Sequence, residues 1–224
     1  MSYADAWNLP KVQEFFETAR ATTAQAYVSE WFFLEAKLKE GLSVLDIGCA
    51  QGGLASVLSE HLCDFSYTGV DVSDEMIARA RQKHPRHTFH HVSEDDFSTL
   101  GDATFDLVVV LGILHLHETW RETLKAGWRH TGGCVITDTR EYTGPTIEDK
   151  SVSWFKMDFG GGDAEHEAMR LPYIVLNSAE ALRAVNEICD GAVKTSHYGY
   201  LHPVSDSAVS PVKEVMANVW CIER

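Results

Sequence analysis

Five polar side chains that could take part in a reaction follow apolar segments in the middle of this chain. They are His115, His117, Glu118, Arg140 and Tyr142. An imidazole can move a proton near neutral pH, and a charged side chain can orient a reacting group. Of these residues, His115 is the one that we expect in a reaction pocket. The two histidines could also suggest a metal, but we find no further ligands at a suitable spacing and predict no metal site.

A glycine-rich turn is the second feature with a chemical meaning. The stretch VLDIGCAQGG, residues 44–53, runs from a buried-strand pattern into Gly48, Gly52 and Gly53. Such a turn lets a ligand approach the backbone, and the helix that follows offers free N–H groups. Asp71 ends the next strand pattern, about 20 residues further on, where an acid typically receives the hydroxyl groups of a ribose. The turn and the acid together predict a site for a nucleotide-like ligand.

Alternating strands and helices must position these groups. Apolar runs predict five strands, separated by segments with helical spacing, at SVLDIG, YTGVDV, HTFHHV, FDLVVVLGIL and CVITDTR. Two further strands, AVKTSHYGYLH and KEVMANVWCI, are joined by too short a segment for a crossover helix, so we expect them to be antiparallel. The sequence therefore predicts an α/β fold with a Rossmann-like, doubly wound sheet of seven strands. The sheet should be mostly parallel, with helices on both faces and a C-terminal antiparallel hairpin.

The composition limits the partners of the protein. A formal net charge of −14 disfavours the approach of nucleic acid or of an anionic membrane. No apolar run reaches the roughly 20 residues that span a bilayer, and the N-terminus lacks the pattern of a signal peptide. The cysteines are widely spaced, without a C-x-x-C pair, and are expected to act as small apolar residues in a reducing compartment. We therefore expect a cytoplasmic protein with a small-molecule partner, and its oligomeric state is left open.

The motifs together resemble those of the class I S-adenosylmethionine-dependent methyltransferases. VLDIGCAQGG is similar to the first motif of that family, GVDVSDEMIARAR to its second strand and helix, and FDLVVVLGILHLH to its fourth strand and loop. Ala50 stands where the GxGxxG pattern of NAD-binding proteins has its second glycine. The resemblance runs from about residue 41 to residue 139, with a looser match to the end of the chain.

The resemblance implies a role for each matching position. The turn faces the methionine part of the cofactor, Asp46 braces the turn, and Asp71 holds the ribose hydroxyls. Val72 and Met76 line the adenine, the main chain of Leu111 covers the cofactor, and one residue after the third strand reads the adenine edge. The implied cofactor-binding residues are Asp46, Gly48, Cys49, Ala50, Gly52, Asp71, Val72, Met76, Leu111 and one of Ser93, Glu94 or Asp95.

Segments outside the resemblance are expected to complete the site within a single domain, residues 1–224. Residues 1–40 predict a helical lid, and residues 141–177, which have little periodicity, predict an insertion that forms the acceptor pocket. The candidates for the pocket wall are Tyr3, Trp7, Arg140 and Trp154. An aromatic enclosure suits a cationic sulfonium.

The resemblance implies direct transfer of a methyl group from S-adenosylmethionine to a small molecule. In such a reaction the protein aligns the acceptor with the methyl group and excludes water. His115, Tyr142 and Tyr173 are the candidates for contact with the reacting atoms.

Three other functions fit parts of the sequence. The cofactor could be cleaved by its own amine, in a lyase or cyclase that releases methylthioadenosine and a cyclic amino acid of the azetidine-2-carboxylate type. An NAD(P)-dependent dehydrogenase would use a related fold, although Ala50 and the antiparallel hairpin weigh against it. The third alternative is a module that binds S-adenosylmethionine without catalysis. The motifs hold the cofactor and do not dictate which bond is broken.

Overall fold

The computed structural model describes residues 3–93, 96–157 and 170–224. In these ranges the strands are β1 (Leu42–Ile47), β2 (Phe65–Asp71), β3 (Thr88–His91), β4 (Phe105–Val110), β5 (Thr131–Tyr142), β6 (Trp154–Lys156), β7 (Arg170–Pro172), β8 (Leu176–Asn177), β9 (Lys194–Pro203), β10 (Ala208–Val209) and β11 (Glu214–Glu223). The α-helices are α1 (Tyr3–Trp7), α2 (Pro10–Thr18), α3 (Val28–Glu35), α4 (Gly53–Ser59), α5 (Asp74–Lys83), α6 (Trp120–His130) and α7 (Ser178–Ile188). Short 3₁₀ helices cover Thr23–Gln25, Ser98–Leu100 and Leu114–Leu116.

The main sheet has the strand order β3–β2–β1–β4–β5–β11–β9, and the two-residue β8 pairs with β5. Strands β1 to β5 run parallel to one another. Strand β11 lies between β5 and β9 and is antiparallel to both. The predicted seven-stranded, doubly wound sheet with its antiparallel C-terminal hairpin is therefore confirmed, and β8 is an additional strand that the sequence pattern did not reveal.

Each face of the sheet carries its own apolar core, because alternate residues of a strand point to opposite faces. In β4, Val108 and Val110 pack with the buried residues of α6 and α7. Their neighbours Leu107 and Val109 pack with those of α3, α4 and α5. The continuous apolar run of this strand is thus explained by burial on both sides.

A third apolar cluster lies beyond the ends of the parallel strands. It joins Ala6 of α1 and Val12 of α2 to Met76 of α5 and Leu171 of β7. Strand β7 belongs to a small second sheet, in the order β10–β6–β7. The N-terminal helices and the segment after β5 therefore meet above the sheet, while their predicted roles as lid and acceptor pocket stay predictions. Among the helices of the described ranges, none has the length and apolar character needed to cross a membrane.

Candidate active site

A cavity of about 590 Å³ lies at the carboxyl ends of β1, β2 and β4, where ligands bind in parallel α/β sheets. Its volume is within the usual range of small-molecule sites. The residues singled out from the sequence that line this cavity are Trp7, Asp46, Gly48, Cys49, Ala50, Gly53, Asp71, Val72, Met76, Leu111, His117 and Glu118. The fold therefore brings the glycine turn and the acid of β2 to one wall.

The turn after β1 has a left-handed backbone at three positions. The φ angles are 81° at Gly48, 46° at Ala50 and 79° at Gly52, and this region costs a residue with a side chain roughly 1–2 kcal/mol. The Ala50 N–H donates to Oδ2 of Asp71 at 2.9 Å, which offsets that cost. The Ala50 methyl group packs against the apolar cluster of α1, α2 and β7, so the departure from glycine is accommodated.

The glycines of the turn also leave space that neighbouring side chains of the protein occupy. A Cβ at Gly48 would lie 2.8 Å from Cγ2 of Ile113, and one at Gly52 would lie 2.8 Å from Cδ2 of His84. Gly48 lines the cavity, whereas Gly52 is absent from the described part of its wall. The missing side chain at Gly52 makes room for His84, and a cofactor contact at Gly52 stays a prediction.

Asp71 is held firmly at the cavity wall. Its Oδ2 accepts the Ala50 N–H and its Oδ1 accepts the Ser73 N–H, each at 2.9 Å. Burial raises the pKa of this carboxyl, against the effect of the backbone N–H donors. The remaining lone pairs of the carboxylate are available to accept hydroxyl groups from a ligand.

Asp46 is a buried carboxyl on the same wall. It accepts the Tyr67 hydroxyl at 2.5 Å, so it links β1 to β2. Burial raises the pKa of Asp46 from its ordinary value of 3.8 to about 6, although the Tyr67 hydrogen bond opposes this shift. The charge at this point of the cavity therefore depends on pH just below neutrality.

Asp46→Asn is expected to stabilise the ligand-free protein at pH 8. Between pH 3.8 and about pH 6 the folded chain binds a proton that the unfolded chain has lost, so stability falls as the pH rises through this window. Because one pKa unit corresponds to about 1.4 kcal/mol, the ionised carboxylate costs roughly 2–3 kcal/mol above the window. Urea unfolding of both proteins at several pH values measures the difference, which should vanish near pH 4.

Asp106→Asn is the matched control with the opposite sign. The N–H and hydroxyl of Ser43 hold the pKa of Asp106 below its ordinary value. This variant should lose stability at pH 8 and lose less as the pH falls. An unchanged difference between wild type and the Asp46→Asn variant from pH 4 to pH 8 would contradict the raised pKa of Asp46.

An apolar wall continues the cavity beyond Asp71. It is formed by Val72, Met76, Val92, Phe97 and Ile113. Ser93, one candidate for the adenine edge, is not among the described lining residues, and its carbonyl accepts the Asp96 N–H at 2.6 Å. Glu94 and Asp95 lie outside the described residues, so the choice among the three stays open.

Arg20 and Glu30 also line the cavity, although the sequence did not single them out. They form an ion pair between the segment after α2 and helix α3. Burial raises the pKa of Glu30, and the Arg20 guanidinium opposes that shift. A single arginine ahead of a helix carries no spacing signal, so only the folded chain reveals the pair.

His117 is the histidine of the H-x-H pair that reaches the cavity. Its Nδ1 lies 3.2 Å from Oγ1 of Thr119, and its Nε2 lies 3.3 Å from Oγ1 of Thr123. Both threonines also line the cavity. The sequence favoured His115 for this position.

His115 lies behind the cavity wall, in contact with β5 and the chain near β7. Its ring centre is 5.7 Å from that of Tyr173, and with Arg140 it lines a separate void of about 10 Å³. Burial, followed by the charge of Arg140, lowers the pKa of His115 to about 3, so the imidazole is neutral at pH 7. Among the described residues, its Nδ1 has no hydrogen-bond partner. Catalytic contact by His115 or Tyr173 stays a prediction.

Three other residues predicted for the site, Tyr142, Trp154 and Tyr3, are not among the described residues that line the cavity. The Tyr142 hydroxyl donates to the Pro145 carbonyl, and the Arg170 guanidinium lies 4.4 Å from the ring centre of Trp154. Arg170 lines the cavity, whereas Tyr142 and Trp154 are absent from the described lining. Tyr3 begins α1, and its side chain lies outside the described part of the chain.

Asp138 connects the cavity to β5. One carboxylate oxygen accepts the Gly112 N–H and the other accepts the Arg140 guanidinium, each at 2.6 Å. Burial disfavours the ionised carboxyl, but the charge of Arg140, together with the hydrogen bond from the Gly112 N–H, outweighs it and holds the pKa of Asp138 below its ordinary value. The loop after β4 is thus fixed to the neighbouring strand by a buried charge.

Comparison with known proteins relates this site to a function. A family model described as a methyltransferase domain matches residues 45–132. A curated relative, the probable (S)-tetrahydroprotoberberine N-methyltransferase 2 of Papaver bracteatum, is 28% identical over 101 residues. The match covers 44% of this chain and only 28% of the relative.

Solved structures share the fold at low sequence identity. The plantazolicin methyltransferase BamL, in complex with a triazolic desmethylPZN analog and SAH, has a TM-score of 0.59 and 15% identity, with 97% of this chain and 92% of that chain covered. A putative Zn-dependent alcohol dehydrogenase from Rhodobacter sphaeroides has a TM-score of 0.62 and 13% identity, with 96% and 97% covered. Likenesses at this level describe the fold, which can host different reactions.

Proposed function

We propose that this chain is a class I S-adenosylmethionine-dependent methyltransferase that transfers the methyl group of that cofactor to a small molecule inside the 590 Å³ cavity. The methyltransferase-domain model that matches residues 45–132 supports this proposal. The observation that carries the proposal is the wall formed by Gly48, Ala50 and Asp71. There a left-handed turn with glycine at position 48 and alanine at position 50 lies beside a carboxylate that two backbone N–H groups hold in place.

The residues of the cavity fit the parts of S-adenosylmethionine. Asp71 offers acceptor atoms for the two ribose hydroxyls. The apolar wall of Val72, Met76 and Ile113 suits the flat adenine. The indole of Trp7 and, above its pKa of about 6, the carboxylate of Asp46 suit the positive charge of the sulfonium.

When bound, S-adenosylmethionine would supply a methyl carbon for direct attack by the acceptor, and the electron pair of the broken C–S bond would remain on the sulfur of the departing S-adenosylhomocysteine. The chain then has to orient the acceptor and exclude water. Trp7, Phe16 and Leu171 line the cavity where the N-terminal helices meet β7, and we place the acceptor there. The names of the relatives, which mention tetrahydroprotoberberine and plantazolicin, support a small-molecule acceptor.

A product assay on the full chain tests this function. Methyl-deuterated S-adenosylmethionine is incubated with the protein and a panel of small amines, phenols and carboxylic acids, and the products are identified by mass spectrometry. We expect S-adenosylhomocysteine only when an acceptor is present, with the label in that acceptor. Methylthioadenosine that accumulates without an acceptor, faster than without protein, would replace the proposal by cofactor cleavage.

A further inference from the structure

Arg20 touches both turns that frame the cavity. It follows α2 and has a φ angle of 56°, in the left-handed region. Its carbonyl oxygen lies 2.7 Å from the point where Gly53 would carry a Cβ, and its Nη1 lies 2.9 Å from the same point at Gly112. Gly53 begins α4, and Gly112 follows β4 by two residues. The N-terminal segment is therefore fitted to the turn after β1 and to the loop after β4 through one residue.

The Arg20 guanidinium is only partly satisfied by its neighbours. It donates to Glu30 through Nη2, and the side chain of Arg20 remains 34% exposed although that of Glu30 is 7% exposed. Arg20 lines the cavity, so part of this exposed surface faces the ligand space. A guanidinium has five N–H donors, and those not used by Glu30 can bind an anion.

We propose that Arg20 binds the carboxylate at the amino-acid end of the cofactor and thereby ties residues 19–26 over it; this rests on the proposed function. The positively charged guanidinium is expected to pair with this carboxylate because it is the cofactor's only anionic group. Position selects Arg20 among the cations of the described cavity lining. Lys150 is paired with Glu118 at 2.8 Å, and both Arg170 and Arg20 have an aromatic neighbour, Trp154 at 4.4 Å and Tyr27 at 5.6 Å from the ring centre. Of these three cations, Arg20 is the one that adjoins the turns after β1 and β4.

The proposal makes Arg20 a specificity-determining residue. It should distinguish ligands that keep the amino-acid end from those that have only the nucleoside. It also couples the cofactor to the acceptor space, because the segment that carries Arg20 follows the helices with Trp7 and Phe16.

Calorimetric titration of Arg20→Gln with two ligands tests the proposal. S-adenosylhomocysteine has the carboxylate, and 5′-methylthioadenosine lacks the whole amino-acid end. Hydrogen bonds to charged groups contribute about 1.5–3 kcal/mol, so the variant should bind S-adenosylhomocysteine on the order of 10- to 100-fold more weakly. Its affinity for 5′-methylthioadenosine should stay close to that of wild type, which also shows that the variant is folded.

Arg79→Gln is the matched control. Arg79 forms an ion pair with Glu17 at 2.6 Å, so it also joins the N-terminal segment to the domain, but it lies away from the cavity lining. This variant should bind both ligands as wild type does. Arg20→Lys keeps the charge without the planar fork, should show a smaller loss for S-adenosylhomocysteine, and replaces Arg20→Gln if that variant does not fold.

Hydrogen exchange gives a second readout on the unmodified protein. S-adenosylhomocysteine should slow amide exchange across residues 19–26, and 5′-methylthioadenosine should not. Equal weakening of both ligands in Arg20→Gln, or no weakening of either, would overturn the role of Arg20. If wild type binds neither ligand, the proposed function itself fails, and the inference fails with it.

Discussion

Asp71→Asn is expected to weaken the binding of S-adenosylhomocysteine by roughly 100-fold or more. In the proposed complex, the two ribose hydroxyls donate hydrogen bonds to the Asp71 carboxylate, and such bonds to a charged group contribute about 1.5–3 kcal/mol each. The carboxylate of Asp71 accepts the N–H groups of Ala50 and Ser73. An asparagine has only one acceptor oxygen, so its amide group would face one of these donors. The left-handed turn at Ala50 then loses its support at the same time as the ribose loses an acceptor.

Calorimetric titration measures this loss, and Asp74→Asn is its control. Asp74 begins α5, three residues after Asp71, is exposed, and does not line the described cavity wall. Its variant changes the net charge by the same amount, so it separates a general electrostatic effect from a local one. We expect Asp74→Asn to bind as wild type does. Equal affinities of the Asp71→Asn variant and wild type would place the ligand elsewhere.

The sheet and one half of the site were predictable because their causes are local in sequence. The run FDLVVV indicates a strand buried on both faces, and the structure gives one at Phe105–Val110. The spacing from Gly48 to Asp71 predicts that turn and acid meet, because parallel neighbouring strands carry their ends to one edge. The hydrogen bond from Ala50 to Asp71 is the observed contact.

The orientation of the two histidines was not predictable in the same way. Residues 114–116 form a single 3₁₀ turn, in which positions two apart point in different directions. His117 therefore lines the cavity, while His115 packs beside Tyr173. An H-x-H pattern does not reveal which of its members faces the ligand.

The ion pairs of the site depend on tertiary contacts that no spacing encodes. Arg20 meets Glu30 because a left-handed residue turns the chain back toward α3. Asp138 meets Gly112 because β4 and β5 are neighbours in the sheet. In the sequence these residues look like any surface charge, and only burial within the fold gives them an energetic role.

Asp138→Ala is expected to lower the free energy of unfolding by about 3–5 kcal/mol, the usual cost of removing one partner from a buried ion pair. Asp138 is 2% exposed, and its loss leaves the Arg140 guanidinium and the Gly112 N–H without their acceptor. Urea unfolding followed by tryptophan fluorescence measures the change. Removing the second charge as well, in Asp138→Ala/Arg140→Met, should recover part of the loss because no unpaired guanidinium remains buried.

Asp102→Ala is the control variant, because it removes the acidic partner of an ion pair on the surface instead of a buried one. Asp102 also pairs with an arginine, Arg129, at 3.5 Å, but on the open surface, where such pairs contribute little. Its removal should leave the unfolding curve unchanged. If Asp138→Ala unfolds at the same urea concentration as Asp102→Ala, then the loop after β4 is held by the packing of Ile113 and Leu114 alone.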